Sequence, residues 1–312
     1  MKIPFEKWHG CRNDFMVFWL KSSEMGSIDG SLKRRAITLC SKMGDGVGAD
    51  GILILEVEKA NDYLPKSLTI INADGSLAKN CGNGLRCAAG SILQKSRVVN
   101  DTELQTVMIP VLDKKFSCQF LLTRKNQLYP FIGVSMAQTL VDDKTSWFVE
   151  IKKECEGFLI QSGIAYEKLH GVDTYNQHIV VFVKNSLDDR ESILRCARAF
   201  QVLFSGDGIN VHFVRENQID QAAVDECSLN TGAKLVESFT AFVYERGVGV
   251  TQACGSGAVA IASTVIQEGF INKGECVGVE MPGGKLYVSQ NPEQELKLVG
   301  PAVKIYDGIL DI

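Results

Sequence analysis

The sequence is built around the stretch NCGNGLRCAA at Asn80–Ala89, which places a cysteine directly before glycines and an apolar, helix-like run. The stretch ACGSGAVA at Ala253–Ala260 repeats this pattern of cysteine, glycine, polar residue and glycine, followed by small and apolar residues. A cysteine at the start of a helix lies among backbone N–H groups that have no partner within the helix. The repetition therefore indicates two related half-sites.

Length and composition exclude several classes of protein. A chain of 312 residues predicts two domains, and 45% hydrophobic with 22% charged residues is typical of an ordinary globular protein rather than a disordered one. The net charge of −4 and the absence of a dense Lys/Arg block argue against a nucleic-acid partner. No apolar run reaches the roughly 18 residues of a spanning helix, so we expect no membrane contact and a cytoplasmic location.

The ten cysteines are interpreted as thiols. A long chain without a secretory signal does not need a disulfide framework. Cys40 and Cys196 lie in helix-like apolar contexts and are predicted to be core residues. No Cys-x-x-Cys pair is present, so a structural zinc site is not predicted.

The two halves of the chain show a similar order of elements. Helical spacing is found at 31–43, 82–95 and 190–203 and after Cys254, and strand-like patterns include 146–151 and 157–160. The literal G-x-G-x-x-G at Gly46–Gly51 follows a helix and precedes a strand, the reverse of a dinucleotide site, so a tight loop is predicted there. Runs of strands with few helices between them favour α+β domains, and the polar break at Thr123–Gln127 predicts a linker near residue 130.

The two cysteines predict a specific chemistry. The positive end of a helix lowers the pKa of a thiol, and the adjacent glycines let a carboxylate approach the N–H groups. With Cys81 and Cys254 as a thiolate and thiol pair, a proton can leave one face of a Cα and return on the other. Such a two-base racemase requires no cofactor and no metal. The alternative for either cysteine is a structural helix cap beside a glycine turn.

The sequence closely resembles the diaminopimelate epimerases, a family of cofactor-independent amino-acid epimerases, over nearly the whole chain. Besides the two cysteine motifs, the resemblance rests on HGCRNDF at His9–Phe15, GVGADG at Gly46–Gly51, NADGS at Asn72–Ser76, NVHF at Asn210–Phe213, ERGVG at Glu245–Gly249 and IYDG at Ile305–Gly308. It implies an α+β fold of two pseudo-symmetric domains, each a curved β-sheet or barrel-like shell around a central α-helix. The implied domains are 1–130 with the returning segment 301–312, and 131–300, in a homodimer.

The resemblance also implies the residues that contact a small amino-acid substrate. Cys81 and Cys254 become the acid/base pair. Backbone groups of four residues hold the carboxylate at the reacting carbon, namely Gly82, Asn83, Gly255 and Ser256. The other substrate contacts are Asn13, Asn72, Asn176, Asn210, Glu245 and Arg246. Arg246 suits the second carboxylate of diaminopimelate and Glu245 its ammonium group. Without the resemblance, the alternative is a surface ion pair for this dipeptide and a turn role for Asn72, Asn176 and Asn210.

The chain departs from the family pattern in two loops. It has Cys11-Arg12 where the family usually has Leu-Gly, and Tyr175-Asn176-Gln177-His178 where the family has Gly-Asn-Pro-His. The expected reaction is epimerisation of LL-diaminopimelate to the meso form, for lysine and peptidoglycan precursor synthesis. These departures favour, as an alternative, a racemase of the same fold that acts on another amino acid such as histidine. A non-catalytic binding module or a thiol redox protein is the alternative from a different class.

Overall fold

The fold is described from a computed structural model of the chain. It describes residues 1–44, 46–100, 105–121, 130–136, 139–142, 145–174, 176–184, 186–204, 208–269, 271–272, 274–290 and 295–311, without the side chains of 98–100. The polar break that predicts a linker, Thr123–Gln127, lies outside the described residues.

The chain divides into two compact units, the first formed by Met1–Ser135 with Val299–Ile312 and the second by Met136–Leu298. The first unit begins with β1 (Lys2–Gly10), β2 (Asn13–Lys21), a 3-10 turn (Ser22–Glu24), α1 (Ile28–Arg34), α2 (Ala36–Cys40), β3 (Gly51–Val57), β4 (Ser67–Asn72), α3 (Gly82–Asn100), β5 (Thr106–Val111), β6 (Lys114–Leu121) and β7 (Phe131–Met136). The chain passes into the second unit within β7.

The second unit contains β8 (Leu140–Val141), α4 (Ser146–Gln161), β9 (Tyr166–Asp173), β10 (Gln177–Val183), α5 (Arg190–Leu203), β11 (Asn210–Glu216), α6 (Gln221–Thr231), β12 (Lys234–Glu245), β13 (Gly249–Val250), α7 (Gly255–Gln267), β14 (Glu275–Met281), β15 (Gly284–Gln290) and β16 (Leu296–Pro301). The chain returns to the first unit within β16 and ends with β17 (Val303–Asp311).

The two units repeat one strand topology. The order β17-β1-β2-β3-β4 in the first unit corresponds to β8-β9-β10-β11-β12 in the second. In each series the third and fourth strands, β2 with β3 and β10 with β11, run parallel, and the other neighbours are antiparallel. A helical crossover joins each parallel pair, and the fifth strand leads to a cysteine and a buried helix. The predicted pseudo-symmetry is therefore confirmed at the level of topology.

The helices that follow the two cysteines, α3 and α7, are the central helices of their units. Every residue from Gly82 to Leu93 and from Gly257 to Val265 is buried, which is typical of a helix enclosed on all sides. Helix α3 contacts strands β1, β2, β3, β5, β6 and β17 of the first unit, and α7 contacts strands from β8 to β15 of the second. Six strand spacings separate β8 from β15, or about 29 Å in a flat sheet. Only a curved sheet can bring both against one helix about 10–12 Å across.

The opposite face of each sheet is covered by further helices. In the first unit Leu32, Ala36 and Leu39 of α1 and α2 join the core formed with Phe18. In the second unit α4 and α5 contribute a comparable cluster that includes Phe148 and Phe200. Cys40 and Cys196 are buried in these clusters, as predicted, and all ten cysteines are free. Apolar residues on both faces of the sheets account for the strands that carry several consecutive buried positions.

Several sequence-based assignments were wrong. The strands predicted at 146–151 and 157–160 are parts of the single helix α4, because Phe148, Cys155 and Leu159 recur on one helical face. The aromatic and β-branched residues on that stretch also fit a strand, which explains the error. The helix predicted at 31–43 is divided into α1 and α2 at Arg35, whose ψ of 3° departs from helical geometry. Helix α6 was missed although Asp220 caps its start and Gly232, at φ 72°, ends it.

Within the described part of the chain, no helix is both long enough and apolar enough to cross a membrane.

Candidate active site

Cys81 occupies the position before the first residue of α3. Its carbonyl accepts a hydrogen bond from the Leu85 N–H at 2.8 Å, and its Sγ accepts one from the Gly84 N–H at 3.3 Å. Gly84 packs closely here, because a Cβ at this position would lie 3.2 Å from Leu53 Cδ2 and 3.4 Å from the sulfur of Cys81. Cys81 is half-buried. The thiol thus caps the N-terminus of the helix, as the sequence predicts.

Cys254 has the same relation to α7. Its extended backbone, with φ −126° and ψ 109°, is that of an N-cap residue, and its Sγ accepts a hydrogen bond from the Gly257 N–H at 3.3 Å. The hydroxyl of Ser256 lies 3.4 Å from the same sulfur, and the Cys254 N–H donates to Met281 Sδ at 3.3 Å. The side chain is buried. The two repeats therefore present a thiol in the same geometry at the end of the same element.

The pKa of Cys254 is raised well above that of an ordinary thiol. Burial is the main cause, and the negative charge of Glu245 adds to it, while hydrogen bonds from Ser256 and Gly257 act in the opposite direction. The sequence predicts a lowered pKa from the helix N-terminus, so for Cys254 the predicted direction is wrong, because loss of water outweighs the helix. At neutral pH this cysteine is a thiol and can donate a proton.

Asn13 and Asn83 are joined by a chain of hydrogen bonds at the start of α3. The amide of Asn13 donates to Asp50 Oδ2 at 2.9 Å, and the amide of Asn83 donates to Asn13 Oδ1 at 3.0 Å. Arg86 completes the chain by donating from Nη2 to Asn83 Oδ1 at 2.6 Å. Two predicted substrate contacts thus have fixed orientations, and the loop Gly46–Asp50 supplies the carboxylate that orients Asn13.

Arg86 is a residue that sequence reasoning missed. It is fully buried inside α3, and it donates to the Gly82 carbonyl at 3.3 Å and to the Pro301 carbonyl at 3.3 Å besides Asn83. A buried guanidinium is stable only when its donors are paired. Arg86 therefore positions the first turn of α3, including Gly82 and Asn83. An arginine within an otherwise apolar helix is the signal that could have revealed it.

The hairpin loop that precedes Asn13 has strained backbone geometry. Gly10 pairs with Asn13, which leaves Cys11 and Arg12 as a two-residue turn with φ 53° and 61°. Such turns favour glycine or asparagine, because a Cβ disfavours positive φ. Cys11 is buried and Arg12 is exposed. This departure from the family pattern therefore places a cation one residue from a predicted substrate contact.

Asn72 lies at the end of β4, where it stabilises the following turn. Its amide donates to Ser76 Oγ at 2.9 Å, and the two backbones are joined by a bond of 2.9 Å from the Asn72 N–H to the Ser76 carbonyl. Gly75 completes the turn at φ 84°. Asn72 is exposed at this position, so the turn leaves its side chain accessible.

In the second unit, Asn210 joins two segments predicted to contact substrate. Its Oδ1 accepts a hydrogen bond from the Arg246 N–H at 3.1 Å, and its amide donates to the Gln177 carbonyl at 3.2 Å. Asn176 precedes that carbonyl and accepts from the Thr174 N–H at 3.0 Å, whereas Tyr175 lies outside the described residues. The ends of β10, β11 and β12 therefore meet at Asn210.

Glu245 and Arg246 do not form the surface ion pair that was the alternative for them. Thr251 donates its hydroxyl to Glu245 Oε1 at 2.5 Å, and the Glu245 charge acts on the thiol of Cys254. Among the described residues, no carboxylate pairs with Arg246. Glu245 thus belongs with Cys254, Gly255 and Ser256 at the start of α7.

A pair of buried histidines lies beside Cys254, and sequence analysis assigned it no role. His178 Nδ1 is 2.9 Å from His212 Nε2, and the rings stack with their centroids 5.1 Å apart. Burial lowers the pKa of His178 and lowers that of His212 to about 3, so both rings are neutral. Gly257 makes room for His212, since a Cβ there would lie 2.3 Å from its Cε1. His212 lies in the NVHF motif, but nothing local in the sequence reveals its partner across the sheet.

A sequence model of the family described as diaminopimelate epimerase matches residues 170–305. The diaminopimelate epimerase of a Psychrobacter species is 28% identical to this chain and covers 99% of it and 94% of the relative. The diaminopimelate epimerase of Natranaerobius thermophilus is 30% identical, with 99% of this chain and 98% of the relative covered. The chain belongs to the diaminopimelate epimerase family.

Membership of the diaminopimelate epimerase family makes the protein an isomerase of the epimerase class. The fold agrees with that of solved structures of distant sequence. The phenazine biosynthesis protein of the PhzF family from Bacillus anthracis superposes with a TM-score of 0.65 at 13% identity, over 100% of both chains. This likeness shows that the two-unit fold is shared well beyond the family.

Proposed function

We propose that the protein interconverts LL- and meso-diaminopimelate without a cofactor, with Cys81 and Cys254 as the two bases. The observation that carries the proposal is the repeated N-cap geometry, in which each sulfur accepts an N–H bond of 3.3 Å from the third residue after it. Family membership supports the same reaction. A structural cap alone does not account for a cysteine at both positions, because serine, aspartate and asparagine are the usual N-cap residues.

The proposed proton path starts from Cys254 as the thiol, the form that its raised pKa favours. In the direction that begins with Cys254 as thiol, the Cys81 thiolate removes the Cα proton from one face of the substrate. Cys254 then delivers its own proton to the opposite face, which inverts the centre and leaves Cys81 as thiol and Cys254 as thiolate. The reverse reaction, or exchange with solvent, restores the starting state.

Carbanion stabilisation is assigned to the two helix N-termini. Backbone groups of Gly82, Asn83, Gly255 and Ser256 bind the carboxylate at the reacting carbon, where negative charge develops. Preorganised donors of this kind are the largest single source of rate enhancement in many enzymes, and loss of one donor costs roughly 2.7–4 kcal/mol. Burial of both helix starts removes water and strengthens these interactions.

Recognition of the distal end of the substrate is assigned to polar residues at the strand ends. Arg246 binds the second carboxylate and Glu245 the second ammonium group. Asn13, Asn72, Asn176 and Asn210 are proposed as further contacts. The bond from the Arg246 N–H to Asn210 supports this role, because it fixes the backbone from which the guanidinium extends.

We further propose that the enzyme is a cytoplasmic homodimer that supplies lysine and peptidoglycan precursors. The ten free cysteines support a reducing compartment, which the proposed thiol pair also requires.

A second candidate is a racemase of the same fold for another amino acid, such as histidine. The strained Cys11-Arg12 turn beside Asn13 favours it, because it adds a cation where the family usually has glycine. Arg246 distinguishes the candidates. An Arg246→Met change raises KM strongly only for a substrate with a second carboxylate.

The experiment is deuterium wash-in at Cα in D2O, with LL-diaminopimelate, meso-diaminopimelate and a panel of other amino acids that includes histidine. We expect exchange with both diaminopimelate isomers and its loss in Cys81→Ser and Cys254→Ser. Cys40→Ala, which changes a buried cysteine in the outer layer of the first unit, is the matched control and should retain exchange. Exchange with histidine alone would replace the first candidate by the second, and a lack of exchange with every amino acid would favour a binding module or thiol redox protein.

A further inference from the structure

His178, His212 and Cys254 form a compact cluster of metal-binding side chains. One potential ligand atom from each residue lies within 4.8 Å of those of the other two. Both histidines are fully buried, and Cys254 is 4% exposed. The three residues come from β10, β11 and the start of α7, so the chain must fold before the cluster exists.

The histidine pair has two buried nitrogens that no described residue pairs with. Two neutral rings carry two protons on four nitrogens, and the 2.9 Å contact uses one proton and one lone pair. The two outer nitrogens, His178 Nε2 and His212 Nδ1, are buried without a hydrogen-bond partner among the described residues. One N–H and one lone pair therefore remain on these outer nitrogens. Buried polar atoms are nearly always paired, so the described residues do not fully satisfy the histidine pair.

We propose that His178, His212 and Cys254 bind a divalent ion of the zinc class. Two imidazole nitrogens and one thiolate are ligands that zinc prefers, and a site with three protein ligands leaves a fourth position for water or another small ligand. On binding, the Cys254 thiol releases its proton, and each ring offers one lone pair and keeps one N–H. The set of ligands and ion then has a net charge of +1.

The geometry needs only a small adjustment to accept the ion. Zinc–nitrogen bonds of about 2.0–2.1 Å in a tetrahedral site separate two nitrogens by about 3.3 Å. The proposed ligand atoms are the facing nitrogens, His178 Nδ1 and His212 Nε2, so their 2.9 Å contact must open by about 0.4 Å and each ring carries its proton on the outer nitrogen. Gly257 borders the His212 ring without a side chain, although the ring already fills the space that a Cβ would need.

The charges around the cluster have opposite effects on cation binding. The guanidinium of Arg246 acts on His178 and disfavours a cation, whereas the carboxylate of Glu245 acts on Cys254 and favours one. The ligand set itself, a soft thiolate with two neutral imidazoles, therefore determines the preference for zinc over magnesium or calcium.

The consequence for activity rests on the proposed function. An ion at this site is coordinated by Cys254 Sγ, the sulfur that is proposed to donate a proton. Zinc therefore inhibits epimerisation reversibly, and a chelator restores the activity. Binding itself does not depend on the proposed function. Ion binding is measured without substrate, so a failure to bind does not contradict the proposed epimerase activity, and a lack of activity does not contradict ion binding.

The test is titration of the fully reduced full-length protein with Co²⁺, followed by competition with Zn²⁺ against a chromogenic chelator. Co²⁺ bound by a thiolate in a tetrahedral site gives a near-ultraviolet charge-transfer band together with visible bands. We expect one ion per chain in the wild type and loss of the charge-transfer band in Cys254→Ser, which nearly preserves side-chain volume. His212→Asn and His178→Asn should weaken Zn²⁺ binding by at least the roughly 10–100-fold that loss of an outer-sphere partner costs.

Three control variants test other side chains that could bind the ion. Cys81→Ser tests the other helix-cap thiol, Cys227→Ser tests the buried pair in which Cys227 Sγ lies 2.8 Å from Cys276 Sγ, and His170→Gln tests the ring held 2.6 Å from Asp142. Each control should bind Co²⁺ with the wild-type band. A band that persists in Cys254→Ser and disappears in Cys81→Ser or Cys227→Ser would overturn the proposal, as would a wild-type protein that binds no Co²⁺.

Discussion

Gly257→Ala tests whether the helix, the histidine pair and Cys254 act as one packed unit. An added Cβ would lie 2.3 Å from His212 Cε1 and 2.7 Å from its Nε2, far inside ordinary contact distance. His212 is fully buried and hydrogen-bonded to His178, so its ring cannot move away without breaking that bond. Overpacking of this kind costs typically 1–3 kcal/mol, and we expect a value near the upper limit.

Helix propensity offsets part of this loss in the free energy of unfolding. Alanine is favoured over glycine inside a helix by about 1 kcal/mol, so the net loss in the free energy of unfolding is about 2 kcal/mol. Gly157→Ala in α4 is the matched control, because nothing lies within 4 Å of its Cβ position. It should stabilise the protein by roughly 0.5–1 kcal/mol. Urea unfolding of both variants measures the difference, and equal stabilities would refute the claim that His212 lies rigidly against α7.

Three further predictions concern the proposed active site. Glu245→Gln removes a negative charge that helps to raise the pKa of Cys254. The alkaline limb of the pH profile of kcat/KM, where the thiol loses its proton, should therefore move to lower pH. An unchanged limb would show that the Glu245 charge does not act on this thiol. Arg86→Met should lower the free energy of unfolding by about 2–4 kcal/mol, because it removes the donor to the Pro301 carbonyl and to Asn83 Oδ1, and a urea midpoint equal to that of the wild type would contradict this role. Arg12→Gly should stabilise the protein by about 1 kcal/mol, because glycine adopts φ 61° without strain. Thermal unfolding should then show a higher Tm. A lower Tm would mean that the guanidinium stabilises the protein by more than the backbone strain destabilises it.

The parts of the fold that the sequence predicts follow from local rules. A cysteine before glycines and an apolar run identifies an N-cap whatever the rest of the chain does, so Cys81 and Cys254 were located without the structure. The single amphipathic stripe of α5 likewise gave both ends of that helix correctly. In contrast, α4 carries residues that suit a strand as well as a helix, and only the structure shows that Phe148, Cys155 and Leu159 form its buried face.

The parts that the sequence does not predict depend on contacts between distant segments. His178 and His212 are neighbours because β10 and β11 pair in parallel, a register that neither strand specifies alone. One of the acceptors of Arg86, the Pro301 carbonyl, comes from the far end of the chain. The raised pKa of Cys254 has the same origin, since burial by the surrounding strands outweighs the effect of the helix end.

The central claim is that two cysteines act on opposite faces of one Cα, and initial-rate turnover of LL-diaminopimelate in D2O tests it most directly. Deuterium at the inverted carbon is measured separately in the product and in the recovered substrate by mass spectrometry. The two-base account predicts deuterium in nearly all early meso product and almost none in the remaining LL substrate, because the abstracting cysteine returns only the proton it removed. Early product that retains the substrate proton, or full activity in Cys81→Ser or Cys254→Ser, would contradict it.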